Sequence, residues 1–176
     1  EETPRLRTLC GFEEGTESID WSDSEKWVAD ATLLAAELRA GRAIAVIVSI
    51  NCLANKFGEE GLSTLLASIK DTSVRSLCGL IEGQTVADFS GQNLGPIDCK
   101  IMAAEFAFQG FIAVVNALLL SGNGLTGATF YDDGNVRDGV DTQMDGIISL
   151  FVSLRTNQIT MLDLSRCGLG PASMCH

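Results

Sequence analysis

The sequence predicts an α/β fold in which short strands alternate with helices and successive strand-helix units stack into a solenoid. Three observations predict it. The phrase VRSLCGLIEG at 74–83 restates LRTLCGFEEG at 6–15, 68 positions earlier. The match runs on, pairing Asp20-Trp21-Ser22 with Asp88-Phe89-Ser90, Ala35-Ala36-Glu37 with Ala103-Ala104-Glu105, Ile44-Ala45-Val46 with Ile112-Ala113-Val114, and Asn55 with Asn123. An internal repeat of this length means one structural unit used more than once. Second, five segments share a frame in which apolar residues alternate, as in a strand, and a turn residue follows. Third, between frames the apolar spacing changes to three and four, the mark of a helix. At 176 residues and 46% hydrophobic composition the chain can bury a core, and it reads as a single domain over 1–176.

The first frame, TESIDWSDSEK (16–26), is degenerate and keeps Ile19 and Trp21. Ser22-x-x-Glu25 reads as a capping box, opening a helix with Trp27, Ala31, Leu34 and Leu38 inward and Gly41 at its end. The second frame, IVSINCLANKF (47–57), holds Ile47, Ile50, Cys52, Asn55 and Phe57; the run GEEGLSTLLASIK then puts Leu62, Leu65, Leu66 and Ile69 on one helical face. In the third, QTVADFSGQNL (84–94), Ala87, Phe89 and Leu94 remain and Gln92 takes the Asn place. Pro96 then suits a first helical turn ahead of Ile97, Ile101, Ala104 and Phe108. The fourth, VNALLLSGNGL (115–125), carries Val115, Leu118, Leu120, Asn123 and Leu125. An acidic, Gly-containing insertion near 128–146 follows and reads as a loop. Asp141 or Thr142 is expected to start the next helix, with Ile147, Ile148, Phe151 and Leu154 inward. The fifth frame, ITMLDLSRCGL (159–169), has Ile159, Leu162, Leu164 and Leu169, with Cys167 in the Asn place.

Turn positions 24, 55, 92, 123 and 167 are spaced by 31, 37, 31 and 44 residues, so two units make the 68-residue repeat. LCGxxEG lies in the longer unit, as an approach to the next strand. Asn55, Gln92, Asn123 and Cys167 are assigned a structural role, binding backbone groups that the bent chain leaves unpaired.

The pattern L-x-x-L-x-L-x-x-N-x-L resembles the leucine-rich-repeat signature. NKFGEEGLSTLLASI and SRCGLGPASM are similar to its ribonuclease-inhibitor-like branch, and LCGxxEGxTxxDFSGQNLGP resembles a variant in algae and other unicellular eukaryotes. The resemblance implies a right-handed β/α leucine-rich-repeat solenoid with a short-stranded parallel sheet on the concave face, and a role in protein binding. The units exceed the family's usual length, and two of the five frames lack a good Asn equivalent.

Composition and motifs exclude several functions. A formal charge of -11 with only twelve basic residues argues against nucleic acid, since phosphate binding needs clustered Lys and Arg. A charged partner should be basic. Acidic groups concentrate in residues 1–25, which carry eight against two basic, and in 132–145, which carry five Asp against Arg137. The six cysteines could form three bridges, but none sits in a Cys-x-x-Cys pair, and most read as small buried hydrophobes in a reducing compartment. The tract 101–120 is apolar but holds Glu105, Gln109, Gly110 and Asn116, so the chain is not expected to span a membrane. A starting Glu raises processing in an organelle such as a plastid; otherwise the reading is a soluble intracellular chain. His176, the only histidine, is the last residue, and no nucleotide-binding Gly motif occurs. The Asp cluster in the insertion lacks calcium-loop spacing. No catalytic activity, metal or cofactor is expected.

One column points to binding. Asp20, Asn51, Asp88, Leu119 and Asp163 fall at the x of L-x-L, outward on the concave strand face, with strands about 4.8 Å apart. Asn116, Met161 and Arg166 flank it, and Ser22, Leu53, Ser90, Ser121 and Ser165 form the adjoining column. The local alternative is that Asp-x-Ser only supports turns by hydrogen bonds. The function expected is a non-enzymatic protein-protein interaction module with a protein partner, or else a structural accessory subunit of a larger complex, such as one in an organellar or plastid membrane.

Overall fold

The computed structural model describes residues 8–40, 46–108 and 111–172. Gly41, Ile44, Ala45, Gln109, Gly110 and His176, named above, lie outside the described residues. Among those described are four helices and seven short strands, in the order β1 (Ser18–Asp20), α1 (Val28–Ala40), β2 (Ser49–Asn51), α2 (Gly58–Ile69), β3 (Val86–Asp88), α3 (Pro96–Phe108), a 3-10 turn (Phe111–Val114), β4 (Ala117–Leu119), β5 (Thr129–Phe130), β6 (Val136–Asp138), α4 (Asp145–Leu154) and β7 (Met161–Asp163).

The expected right-handed β/α leucine-rich-repeat solenoid with one parallel sheet is not what forms. The fold is mixed α/β, with the strands in three separate sheets: a parallel pair β1-β2, a parallel trio β3-β4-β7, and an antiparallel pair β5-β6. The break between β2 and β3 has a local cause. The segment around Ser76-Leu77-Cys78 takes the edge of β2 that β3 would have used. Arg75 and Ser76 N–H both donate to Val48 O, Ile50 N–H to Ser76 O and Cys52 N–H to Leu77 O. Contact with β2 passes from a parallel bridge at Ser49–Ser76 to an antiparallel one at Asn51–Cys78, and the chain turns away at Gly79, φ +74°. LCGxxEG is therefore a pairing segment that ends a sheet.

Helix boundaries differ from the sequence expectation where side chains find other partners. Ser22 does not cap α1: its hydroxyl donates to Asp20 Oδ1 at 2.6 Å, and Asp23 and Glu25 have φ of +48° and +52°, outside helical space. Instead Trp27 N–H donates to Asp30 Oδ2 at 2.9 Å, and α1 begins at Val28. Trp27, expected inward, is 58% exposed, with Lys56 Nζ 5.2 Å from its ring centroid. Asp141 does not start α4; it has φ +55°, and its carboxylate accepts Gly170 N–H at 3.1 Å and Ala172 N–H at 3.0 Å. The insertion is no simple loop. Gly134, φ +80°, permits a tight turn in which Gly134 N–H donates to Tyr131 O and Asn135 N–H to Asp133 Oδ1, and β5 and β6 pair across it.

The apolar tract 101–120 is divided among α3, the 3-10 turn and β4, and among the described residues no helix is long and apolar enough to cross a membrane. One core runs beneath the sheets, through Ile19, Ile50, Phe57, Leu65, Leu94, Ile101, Phe106, Leu118 and Ile147. Each such side chain contributes roughly 1.5–3 kcal/mol when fully buried. α1 lies on α2 and α3 on α4, whereas α2 and α3 touch little. That division makes two halves, set 68 residues apart in sequence.

Candidate functional site

The strands β3, β4 and β7 set the candidate surface, with alternation clear on β3 and lost on β7, where the central Leu162, expected inward, is 39% exposed. Ala87 and Leu118 are fully buried, so their neighbours point to the other side of the sheet. In-register pairing aligns two rows across three strands: Val86, Ala117 and Met161, then Asp88, Leu119 and Asp163. Ala117 is buried, whereas Val86 and Met161 are exposed, Met161 at 58%. Asp88 is exposed; Leu119 and Asp163 are half-buried. The two carboxylates thus stand two strands apart, about 9.6 Å at the usual strand spacing, with a leucine between them.

Asp20 and Asn51, the other members of the predicted column, pair in register on the separate β1-β2 sheet. Exposed Asn116 lies just before β4, and its carbonyl accepts Thr160 and Met161 N–H. Arg166 is exposed in the turn after β7, with φ +56°. Of the flanking column, Leu53 is fully buried and does not face outward.

Each Asp also binds its own strand end. Asp88 Oδ1 accepts Ser90 N–H at 3.0 Å, Asp163 Oδ1 accepts Ser165 N–H at 2.9 Å, and Asp20 Oδ1 accepts Ser22 N–H at 3.0 Å. These donors hold Asp88 and Asp163 below the usual carboxylate range, the backbone N–H and then the hydroxyl of Ser90 and Ser165 being the causes, while Asp163 pushes Asp88 slightly upward. Both are anions at neutral pH. Neither can serve as a general acid there, and neither is enclosed as hydrolytic carboxylate pairs require. The arrangement can hold a cation beside an apolar group.

The turn residues bridge units. Asn55 Nδ2 donates to Trp21 O, Leu53 O and Cys52 O, and its Oδ1 accepts Lys26 N–H at 2.8 Å. Asn123 repeats this 68 residues on, donating to Phe89 O and Leu120 O, both at 2.8 Å, and accepting Leu94 N–H at 2.9 Å. Gln92 makes one longer bond, Nε2 to Asp88 O at 3.3 Å, and Cys167 Sγ donates to Leu120 O at 3.0 Å.

Sequence reasoning missed three interior carboxylates. Glu105 Oε1 accepts the Ser76 hydroxyl at 2.7 Å and its Oε2 accepts Leu77 N–H at 2.8 Å, while Ser76 Oγ accepts Cys78 and Leu80 N–H. Glu37 repeats the arrangement on Leu9 and Cys10 N–H, with Thr8 Oγ1 accepting Cys10 and Phe12 N–H. Burial pushes the Glu105 carboxyl up, against these bonds. Asp98 ties the halves together: its Oδ1 accepts Ala54 N–H at 2.7 Å and its Oδ2 Gly95 N–H at 2.8 Å, and burial raises it to about 6. A signal existed, since Glu37 and Glu105, and Thr8 and Ser76, coincide at the 68-residue offset.

Among the described residues no cluster of three His, Cys, Asp or Glu side chains is placed to hold a metal ion. No protein-family model matches the chain, and a comparison with curated proteins finds no match.

Proposed function

We propose that the chain is a non-enzymatic protein-interaction module whose outward β3-β4-β7 face receives a partner that presents cationic groups around an apolar one. The observation that carries this reading is the row Asp88, Leu119, Asp163: two ionised carboxylates flank a half-buried leucine, beside exposed Val86 and Met161. The net charge of -11 supports it. Charge complementarity of this kind governs partner choice and association rate.

Charge removal without loss of the turn bonds tests it. Asn retains the acceptor that Ser90 and Ser165 use, so Asp88→Asn with Asp163→Asn removes both charges and keeps the strand ends. Proteins that co-purify with the wild-type chain should be retained about tenfold less by the double variant and lost with Asp88→Lys and Asp163→Lys. Undiminished retention by the lysine variant refutes the reading.

A second reading, a structural accessory subunit of a larger assembly, is favoured by exposed apolar side chains away from this face: Leu33 on α1, Val152 on α4 and Ile81 beyond the LCG turn. Under that reading the isolated chain self-associates, and sedimentation of the purified protein separates the two.

A further inference from the structure

The outer surface carries an open groove that the interaction face does not use. Where α2 and α3 meet the segment that follows α2, a cavity of about 490 Å³ is lined by Leu66, Ile69, Val74, Ala104, Ala107 and Phe108, with Lys70 and Arg75 beside them. The volume falls within the range of about 300–1,000 Å³ common to small-molecule sites, which combine an apolar lining with a few polar groups.

Charge decides the occupant. Lys70 and Arg75 are two of only twelve basic residues in a chain with 23 acidic ones, and both are exposed. Among the described residues the ion pairs are Lys56–Glu25 and Lys100–Glu59, and neither groove cation enters one. Arg75 Nη1 donates to the Thr72 and Val74 carbonyls, which steadies the guanidinium and leaves its other donors for a ligand. The last carbonyl of α2, at Ile69, is already taken up by the N–H and hydroxyl of Thr72, so the helix end is satisfied from within. Glu105 is turned inward onto Ser76 and Leu77, and Asp71, next to Lys70 in sequence, is exposed. An apolar trough with two cations at its rim fits an apolar chain that ends in an anion.

We propose that this groove binds a single-chain aliphatic carboxylate, its chain lying between α2 and α3 against Leu66, Ile69 and Phe108 and its carboxylate at Lys70 and Arg75. A macromolecular helix would need several successive anchoring pockets; this one short trough suits one chain.

The test uses isotopically labelled wild-type chain and three twelve-carbon amphiphiles, each kept below its solubility or micelle limit: dodecanoate, dodecyltrimethylammonium and dodecanol. Dodecanoate should shift the amide and methyl signals of 66–75 and 104–108 and bind at least tenfold tighter than either other compound. Lys70→Glu with Arg75→Glu, both surface changes, should weaken dodecanoate at least tenfold and spare dodecanol. The proposal is overturned if the three amphiphiles bind equally, if the shifts lie elsewhere, or if an acidic amphipathic peptide shifts these signals where dodecanoate does not. The amphiphile comparison on the wild-type chain decides the question even where the double variant fails to fold.

Discussion

Replacing Asn123 with Ala should be among the most damaging single changes to a polar residue. Asn123 is almost fully buried; besides a long 3.5 Å bond to Ser121 O, which Gly91 N–H also serves, three backbone groups depend on it. One of them, Leu120 O, keeps a second donor in the Cys167 thiol. The other two, Leu94 N–H and Phe89 O, are stranded beside fully or nearly buried side chains. An unsatisfied buried backbone group costs about 1–3 kcal/mol, so two give about 2–6, and partial relaxation brings the expected loss to about 3 kcal/mol. Asn55→Ala removes equivalent bonds, to Lys26 N–H and Trp21 O, at a half-buried site that water can reach, and should cost about half as much. Urea titration reads both, as a lowered midpoint at unchanged slope, and the Asn123 variant should melt about 6–12 °C lower for a chain of this length. A loss under about 1 kcal/mol for Asn123→Ala, or a larger loss for Asn55→Ala, would refute the assignment of Asn123 as a buried bridge.

Three further outcomes are expected. Asp98 has its folded pKa raised from 3.8 to about 6 by burial, so its stabilising contribution is full below the unfolded value and is lost as pH rises through about 6. Glu105 is shifted the same way. Asp98→Asn should therefore cost more at about pH 4 than at about pH 7, by up to about 3 kcal/mol, and a cost that grows with pH contradicts this. The thiols of Cys52, Cys78 and Cys99 are buried and burial pushes each pKa up, while Cys10 rises to about 11. A disulfide reagent at mildly alkaline pH should leave Cys52, Cys78 and Cys99 unlabelled until urea unfolds the chain, and prompt labelling of Cys52 would show that its shell opens. Gly146→Ala places a methyl group against the Pro96 carbonyl, backbone to backbone, so α3 and α4 must separate; a loss of about 2–3 kcal/mol is expected by urea titration, and a neutral result would mean that this close approach is absent.

Much of the local architecture was legible. The L-x-L steps fall on strands at Ser49–Asn51, Val86–Asp88, Ala117–Leu119 and Met161–Asp163, and even the degenerate first frame contains Ser18–Asp20. Apolar alternation survives because burying one face of a strand requires it. The global arrangement was less legible, since nothing in the period says which edge a strand uses. The Ser76 segment reaches β2 first and divides the sheet. Helix starts were misread where a short-range bond competes with capping, as at Ser22, whose hydroxyl prefers Asp20. The antiparallel pair within the insertion escaped notice because its strands bury no face, β6 being exposed throughout, so no apolar alternation marks them. Of the candidate face, the Asp ladder was visible in the spacing. The division of that ladder between two sheets was not.

The paired Glu37 and Glu105 locks bear on how the duplicated sequence assembles. Glu105 belongs to α3, yet the groups it satisfies, at Ser76 and Leu77, line the edge of β2; Asp98 of α3 likewise holds Ala54. The seam between the copies is therefore polar on one side and depends on the later copy for its bonding. A fragment stopping near residue 80 would expose those amides with nothing to receive them. Melting should then proceed as one concerted event across both copies, and the earlier copy, produced alone, should fail to acquire a fixed tertiary arrangement.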